Sequence, residues 1–223
     1  MSKILVVAPH PDDETLGCGG TILKHKKMGD QVYWLIVTGI SEEFGFSENR
    51  VRLRNEEINQ VSKIYDFDSV YNLQLPTTKL DEIPMGEMIA SVGKIFERIE
   101  PEVVYIPYRG DVHSDHKVVF DVVAACTKWF RYNSIRRVLA YETLSETDFG
   151  INPDNLGFRP NVFVDISNYL EKKIKALNLY EGEMTEFPFP RSEQAVRSLA
   201  QLRGAAAGCK AAEAFMLLKE IVL

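Results

Sequence analysis

Apolar runs and segments of helical periodicity alternate along the first two thirds of the chain. The apolar runs predict β-strands at residues 3–8, 31–38, 70–75, 103–108, 138–143 and 161–166. Apolar residues at helical spacing predict helices at residues 16–28, 48–65, 85–99 and 115–130. Strands that are apolar on both faces are typical of a mostly parallel sheet covered by helices on either side. The pattern therefore predicts an α/β, Rossmann-like fold of three layers.

The last third of the chain is more helical. Ser167 is predicted to be the N-cap of a helix that reaches about Tyr180, and a second helix is predicted within residues 192–208. The loop between them contains the sequence FPFPR, residues 187–191, and is expected to fold over a site. Because no linker or internal repeat interrupts the pattern, residues 1–223 are predicted to form a single domain.

Composition and charge narrow the class of protein. The 223 residues carry a formal net charge of -6, which argues against a nucleic-acid partner, because phosphate binding needs clustered Lys and Arg. No apolar stretch approaches the roughly 18 residues of a membrane helix, so we expect no transmembrane segment and a cytoplasmic protein. Cys18, Cys126 and Cys209 lack CxxC spacing and are expected to be buried thiols rather than a disulfide framework or a zinc site.

Two polar clusters directly follow predicted strands. The sequence HPDDE, residues 10–14, follows the first strand, and HSDH, residues 113–116, follows the strand at 103–108. In an open parallel sheet, ligands bind outside the carboxyl ends of the strands, so both clusters should open onto one crevice. Histidines and carboxylates are the ligands of a catalytic zinc site that keeps a position for water. The sequence therefore indicates a metal site there.

Other interpretations of these clusters stay open at this point. Asp13 and Asp115 could each be the N-cap of a helix, and acids in a first helical turn are favoured whether or not they do chemistry. The sequence GCGG, residues 17–20, lacks the GxGxxG order of a dinucleotide-binding loop, which disfavours that function.

Three aromatic side chains are expected to have no part in the site. His25 lies in the basic sequence KHKK and is expected to be solvated. Trp34, in a predicted strand, and Trp129, at the end of a helical pattern, are expected to pack in or near the core.

The combination of PHPDDE after the first strand and HSDH about a hundred positions later resembles the PIG-L or LmbE-like family of metal-dependent N-deacetylases. The similarity continues beyond these motifs and covers essentially the whole chain. RNEE, which begins at Arg54, resembles the R-x-x-E helix motif of the family. NVFVDIS followed by KIKAL, and AEAF at residues 212–215, also match the pattern of many members.

The resemblance implies a role for each residue of the two clusters. The zinc ligands would be His10, Asp13 and His116. Asp12 would be the general base. His113 would polarise the amide carbonyl, stabilise the oxyanion or protonate the leaving amine, with Asp115 orienting its imidazole. His2Asp sites also accept Fe2+ and other divalent ions, so the metal is not fixed by the ligand set.

Arg54 resembles the arginine that contacts substrate in the family, and Glu57 would fix it through an i,i+3 pair. The alternative is an ordinary ion pair on a helix surface. Loops at strand ends commonly carry specificity, so the expected crevice walls are residues 38–47, Tyr108–Arg109 and residues 186–191.

The resemblance also implies the reaction and the partner. The expected partner is a small N-acetylated amino sugar conjugate, typically an N-acetylglucosaminyl group, from which the enzyme would release acetate and a free amine. Another metallohydrolase, such as a phosphoesterase, and a catalytically silent sugar-binding module are the alternatives. The acceptor on the sugar and the oligomeric state, a homo-oligomer included, are left open by the sequence.

Overall fold

The computed structural model describes residues 1–151 and 157–223, and over these residues the chain forms one seven-stranded sheet flanked by helices. The strands are β1 Lys3–Ala8, β2 Gln31–Gly39, β3 Ser69–Pro76, β4 Val103–Pro107, β5 Arg137–Tyr141, β6 Val162–Asp165 and β7 Ala212–Glu220. The α-helices are α1 Asp13–Met28, α2 Glu48–Tyr65, α3 Met85–Ile99, α4 Ser114–Ala125, α5 Leu170–Leu177 and α6 Glu193–Ala207. Among the described residues, no helix is long and apolar enough to cross a membrane.

The strand order β3-β2-β1-β4-β5-β7-β6 places β1 between β2 and β4. Pairing is parallel from β3 through β5, and β7 runs antiparallel to both of its neighbours. The chain order reverses between β1 and β4, which is the point where an open sheet forms a crevice at its carboxyl edge. This topology confirms the α/β class and the mostly parallel sheet.

The two faces of the sheet bury separate apolar clusters. In β1, Leu5 and Val7 face the cluster that α3 and α4 cover, whereas Ile4 and Val6 face the cluster that α1 and α2 cover. A third cluster joins α1 to α5 and α6. Because every β1 side chain from Ile4 onward meets apolar neighbours, the continuous apolar pattern of the strand is explained.

The C-terminal strand β7 is absent from the sequence prediction. Its sequence, AEAFMLLKE, consists largely of good helix formers. Its conformation follows from pairing on both sides, with β5 and with β6. Local preference is therefore overridden by the two neighbouring strands.

The prediction for the helix at 115–130 was wrong at its end. The helix stops at Ala125, where the N–H groups of Cys126 and Thr127 bond to carbonyls three residues back. Trp129 consequently lies 67% exposed, so its predicted packing was wrong, whereas Trp34 is fully buried as expected. No glycine or proline marks this helix end.

Two other local predictions were also wrong. Ser167 does not cap a helix, because its N–H and hydroxyl both donate to Asp165 Oδ1, and α5 begins at Leu170. His25 is mostly buried, with Nδ1 2.8 Å from Asp30 Oδ2 and Nε2 3.0 Å from the Tyr105 hydroxyl. The expected cysteine burial holds fully for Cys18 and Cys126, while Cys209 is half-buried.

The glycines of GCGG allow close packing of α1. A Cβ at Gly17 would lie 2.2 Å from Tyr141 Cδ2, and one at Gly20 would lie 2.5 Å from Ile166 Cγ2. Neither position tolerates a side chain without displacement of a buried neighbour. Helix packing therefore accounts for these two glycines.

A buried ion pair joins the segments KIKAL and AEAF behind α1. Lys173 Nζ donates to Glu213 Oε1 at 2.7 Å and to the Leu16 carbonyl at 2.8 Å. Glu213 also accepts the backbone N–H groups of Gly20 and Thr21, at 2.8 and 2.7 Å. The pair thus ties α5 and β7 to the helix that begins at the HPDDE turn.

Removal of one partner from this pair should cost about 3–5 kcal/mol of unfolding free energy, because the other charge stays buried without its partner. We expect this for Lys173→Met and for Glu213→Gln, measured by urea denaturation. The control is Arg52→Ala, which breaks an exposed pair with Glu56 on α2 and should cost less than about 1 kcal/mol. A loss below about 1 kcal/mol in both buried variants would contradict the structural role.

Candidate active site

The two polar clusters meet at the carboxyl edge of the sheet. The turn after β1 carries His10, and the loop after β4 leads to His113 and His116. The ring centroid of His10 lies 4.5 Å from that of His113 and 5.5 Å from that of His116. The predicted convergence of HPDDE and HSDH is therefore present in the structure.

His10, Asp13 and His116 offer ligand atoms within 4.8 Å of one another. Asp13 Oδ2 lies 3.3 Å from His10 Nδ1 and 3.3 Å from His116 Nε2. Asp13 Oδ1 is buried, and no hydrogen-bond donor among the described residues reaches it. A buried carboxylate oxygen without a donor, beside two imidazoles, fits a divalent cation.

A second donor set, His10 with His113 and Asp115, shares one histidine with the first. Asp115 Oδ2 is already engaged, because it lies 3.0 Å from His10 Nε2 and accepts the Thr78 N–H at 2.7 Å. The first set contains the carboxylate oxygen that lacks a donor. The geometry therefore favours His10, Asp13 and His116 as the ligand set, as the sequence resemblance implied.

The electrostatics keep both candidate ligand histidines charged when no cation is bound. Burial alone would lower the pKa of His10, but hydrogen bonds to Asp115 and Asp13 raise it to about 9. Burial likewise opposes the charge on His116, but Asp13 and Asp111 raise its pKa to about 10. Asp13, held between the two imidazoles, has its pKa lowered well below the usual range despite burial.

Asp12 has an unusual backbone conformation at the start of α1. Its φ is 141°, a region that non-glycine residues rarely occupy, and its N–H donates to Glu14 Oε2 at 3.0 Å. Its carbonyl accepts the N–H groups of Thr15 and Leu16. Burial and the nearby Asp13 carboxylate raise the pKa of Asp12 to about 8. Strain of this kind is typical of functional sites.

The capping interpretations of the two acids were wrong. The N-cap position of α1 is Asp12, whose side chain makes no capping bond, and Asp13 Oδ2 instead accepts the His10 N–H at 2.8 Å. The N-cap of α4 is His113 rather than Asp115. Both acids therefore face the histidine cluster.

His113 caps α4 with its own ring. Its Nδ1 accepts the backbone N–H of Asp115 at 3.1 Å, so the neutral ring carries its proton on Nε2. Burial, followed by the charge on His10, lowers the pKa of His113. The contact between Asp115 and His113 is thus made by the backbone, while the Asp115 carboxylate is directed to His10 and Thr78.

Comparison with known proteins identifies the family. A family description that reads "PIG-L: GlcNAc-PI de-N-acetylase" matches residues 5–127, more than half of the chain. The chain belongs to the PIG-L family. This confirms the family that the sequence motifs resembled.

Individual relatives are similar to this PIG-L chain along most of their length. Diacetylchitobiose deacetylase of Thermococcus kodakarensis is 26% identical over 100% of this chain and 85% of its own length. A probable N-acetyl-alpha-D-glucosaminyl L-malate deacetylase 2 of Bacillus anthracis is 24% identical over 81% and 80% of the two chains. The crystal structure of a conserved protein from Thermus thermophilus superposes with a TM-score of 0.78, at 27% identity, covering 100% and 97%.

The arginine of the PIG-L R-x-x-E motif lies against the HPDDE turn. Arg54 donates to the Pro11 carbonyl at 2.8 Å and to Glu183 Oε1 at 2.7 Å, and its Nε lies 3.0 Å from Glu57 Oε2. The i,i+3 pair with Glu57 is therefore formed. With Glu57 buried and Arg54 mostly so, the interpretation as an ordinary surface pair was wrong.

A cavity of about 280 Å³ opens beside the histidine cluster. His10, Asp12 and His113 form its floor, and the expected wall segment 38–47 contributes Thr38, Gly39, Ile40 and Phe46. From residues 186–191, Arg191 reaches the cavity. Tyr108 and Arg109 do not line it in the described part of the chain, and Arg109 pairs with Asp121 on the surface, so that wall prediction was wrong.

Asp111 is a site residue that sequence reasoning missed. Its Oδ2 lies 2.8 Å from His116 Nδ1, and its Oδ1 accepts the Thr147 hydroxyl at 2.6 Å. This contact leaves His116 Nε2 directed at Asp13, and such carboxylate–histidine pairs orient metal ligands in many proteins. The available signal was an acid two residues before HSDH, inside a loop that leads into the cluster.

Proposed function

We propose that this protein is a metal-dependent hydrolase that removes the acetyl group from an N-acetyl amino sugar conjugate. The observation that carries the proposal is the buried Asp13 carboxylate beside an open cavity. Its Oδ2 lies 3.3 Å from both His10 and His116, and its Oδ1 has no donor among the described residues. Its membership of the PIG-L family and its similarity to sugar deacetylases support the same reaction.

The proposed ligands are His10, Asp13 and His116, and zinc is the ion we expect. A divalent cation bound there supplies Lewis-acid activation of water and of a carbonyl oxygen. The second nitrogen of His116 is held by Asp111, so this ring is oriented before any cation binds.

Asp12 is the proposed general base. Its carboxylate lines the cavity next to the ligand Asp13, where it can accept a proton from the attacking water. The same carboxyl group then returns the proton to the leaving nitrogen, which releases the amine as acetate forms. Burial and Asp13 raise the pKa of Asp12 in the cation-free protein, and the positive charge of a bound cation favours the ionised carboxylate that a base requires.

His113 is the proposed stabiliser of the oxyanion. Its Nδ1 is occupied by the backbone N–H of Asp115, so the neutral ring presents an Nε2–H donor. A donor aimed at the developing negative charge strengthens as the tetrahedral intermediate forms. This arrangement favours hydrogen bonding to the oxyanion over proton donation to the amine, because the lowered pKa of His113 keeps the ring neutral.

The proposed substrate class is an N-acetylglucosaminyl conjugate. Away from the histidines, the cavity is lined by the polar side chains of Asn55, Asn72, Gln74 and Arg50. Amide groups can donate to and accept from sugar hydroxyls, and Phe46 adds an apolar surface on the same cavity. Relatives that act on diacetylchitobiose and are named for N-acetylglucosaminyl malate support this class.

The test is acetate release by zinc-loaded protein from N,N'-diacetylchitobiose, N-acetylglucosaminyl malate and free N-acetylglucosamine. We expect release from at least one conjugate and loss of release after chelation. A parallel assay with an aryl phosphate tests the phosphoesterase alternative, and calorimetric sugar binding tests the silent module. Phosphate release without acetate release, or sugar binding by metal-loaded protein without turnover, would overturn the proposal.

A further inference from the structure

Arg191 enters the active-site cavity from the loop between α5 and α6. Its side chain is largely buried, and Nη1 donates to Asp12 Oδ2 at 2.8 Å and to Glu183 Oε2 at 3.1 Å. The contact with Asp12 spans 179 positions of sequence. It is an ion pair made directly with the proposed general base.

The guanidinium is held from the opposite side by the turn that follows β5. Arg191 Nε donates to Ser145 Oγ at 2.7 Å, and Nη2 donates to Glu146 Oε1 at 3.2 Å. Ser145 has a φ of 74°, in the left-handed region. The turn is closed by the N–H groups of Glu146 and Thr147, which both donate to the Thr143 carbonyl. Arg191 is therefore fixed between a closed turn and Asp12.

The same turn also supports the metal ligand set. Thr147, the next residue after Glu146, donates its hydroxyl to Asp111, which in turn contacts His116 Nδ1. In addition, the Glu146 carbonyl accepts the Val112 N–H, in the loop that leads to the HSDH motif. The five-residue turn at 143–147 therefore makes two sets of contacts. One set holds Arg191, which pairs with the proposed base, and the other holds Asp111, which contacts a proposed ligand.

We propose that Arg191 is a positioning residue for Asp12, and that the turn at 143–147 sets its place. The inference rests on the proposed function, in which Asp12 is the base. With Oδ2 engaged by Arg191, no donor among the described residues hydrogen-bonds Oδ1, which is the oxygen left to receive the proton of water. A fixed carboxylate avoids the cost of reorienting during the reaction.

The hydrogen-bonding capacity of Arg191 favours positioning over substrate binding. A guanidinium has five N–H donors in a rigid fork, and four contacts to Ser145, Asp12, Glu183 and Glu146 occupy most of them. Three of these partners are carboxylates, so the charge of the arginine is already compensated. An incoming sugar would therefore find few free donors on this side chain.

The test compares Arg191→Ala and Arg191→Lys with wild-type enzyme loaded with zinc. For Arg191→Ala we expect kcat to fall by about 10- to 100-fold with KM within about threefold, since misplacement of a reacting group costs rate rather than affinity. Arg191→Lys should retain more activity, because its ammonium can reach one carboxylate but cannot span the turn. Free guanidinium in the assay should partly restore Arg191→Ala and leave wild-type turnover unchanged.

Two readouts are independent of turnover. Elemental analysis should give one zinc per chain in Arg191→Ala, as in wild type. In a crystal structure of the zinc-loaded variant, the Asp12 carboxylate should leave the orientation that it has beside Arg191. The matched control is Arg197→Ala on α6, which removes an arginine paired with Glu171 and Glu193 outside the cavity and should leave kcat and KM unchanged.

Several outcomes would overturn the inference. An unchanged kcat, a loss of zinc or an unmoved Asp12 carboxylate in the variant structure would each do so. A rise in KM alone would also overturn it, because Arg191 would then be a substrate contact. If wild-type protein releases no acetate from any conjugate, the proposed function fails instead, and the Asp12 orientation still decides whether Arg191 positions it.

Discussion

Asp12→Asn is expected to lower kcat for acetate release by about 10²- to 10⁴-fold while the protein keeps its metal. The asparagine has nearly the same shape as the aspartate but cannot accept a proton from water at neutral pH. The proposed ligand in this turn is the neighbouring Asp13, so the cation should stay bound. The measurements are kcat on the best conjugate and zinc content after dialysis.

The control for this substitution is Asp121→Asn, which neutralises an exposed acid paired with Arg109 on the surface. It should leave kcat unchanged, since its carboxylate lies outside the cavity. Turnover of Asp12→Asn within a few-fold of wild type would exclude Asp12 as the base. Loss of zinc in Asp12→Asn would instead make Asp12 a ligand, contrary to the geometry around Asp13.

The meeting of the two motifs could be predicted from the sequence because it depends on topology. Continuous apolar strands alternating with helices predict a parallel sheet, and the carboxyl ends of β1 and β4 then share an edge. That is why His10 and His116, over a hundred positions apart, could be assigned to one site before the fold was known. The alternating pattern carries this information at every strand, so local errors do not disturb it.

The supporting contacts could not be predicted in this way. Arg191 reaches Asp12 from a loop without regular structure, and nothing local distinguishes it from arginines in other loops. Asp111 can hold the His116 ring only because the fold places Thr147 and His116 on either side of its carboxylate. Such roles depend on side-chain placement across distant loops, to which hydrophobic periodicity is insensitive.

The missed strand and the misplaced helix end also have physical causes. The strand β7 is built from helix-forming residues and is extended because β5 and β6 both pair with it. The helix α4 ends at Ala125 by a tightening of its last turn, without a glycine or proline to signal it. For β7 the deciding interactions lie outside the segment, whereas for α4 the change is local but leaves no mark in the apolar pattern.

His116→Ala is expected to remove bound zinc and to abolish detectable acetate release. The imidazole is one of three proposed ligands, and its loss leaves a set too small for a stable catalytic site. Elemental analysis after dialysis is the measurement. Among the four histidines, His25 supplies the control, because it bonds to Asp30 and Tyr105 away from the cavity, and His25→Gln should keep one zinc per chain.

His113→Ala separates the two overlapping donor sets. If His10, Asp13 and His116 hold the cation, this variant should keep zinc and lose turnover, since it lacks only the oxyanion donor. If the set with His113 and Asp115 holds it, zinc should be lost from His113→Ala and retained by His116→Ala. The pair of variants therefore identifies the ligand set without reference to the substrate.

Zinc affinity should also rise steeply with pH, which tests the same ligands by a different property. Without a cation, His10 and His116 are protonated at neutral pH, because their pKa values are raised to about 9 and about 10. A ligand nitrogen must lose its proton to bind, so each zinc should release about two protons, and affinity should increase by roughly 100-fold per pH unit between pH 6 and 7.5. Calorimetry in buffers of different ionisation enthalpy measures the proton count. Release of about one proton would mean that one of these imidazoles is not a ligand, and release of none would mean that neither is.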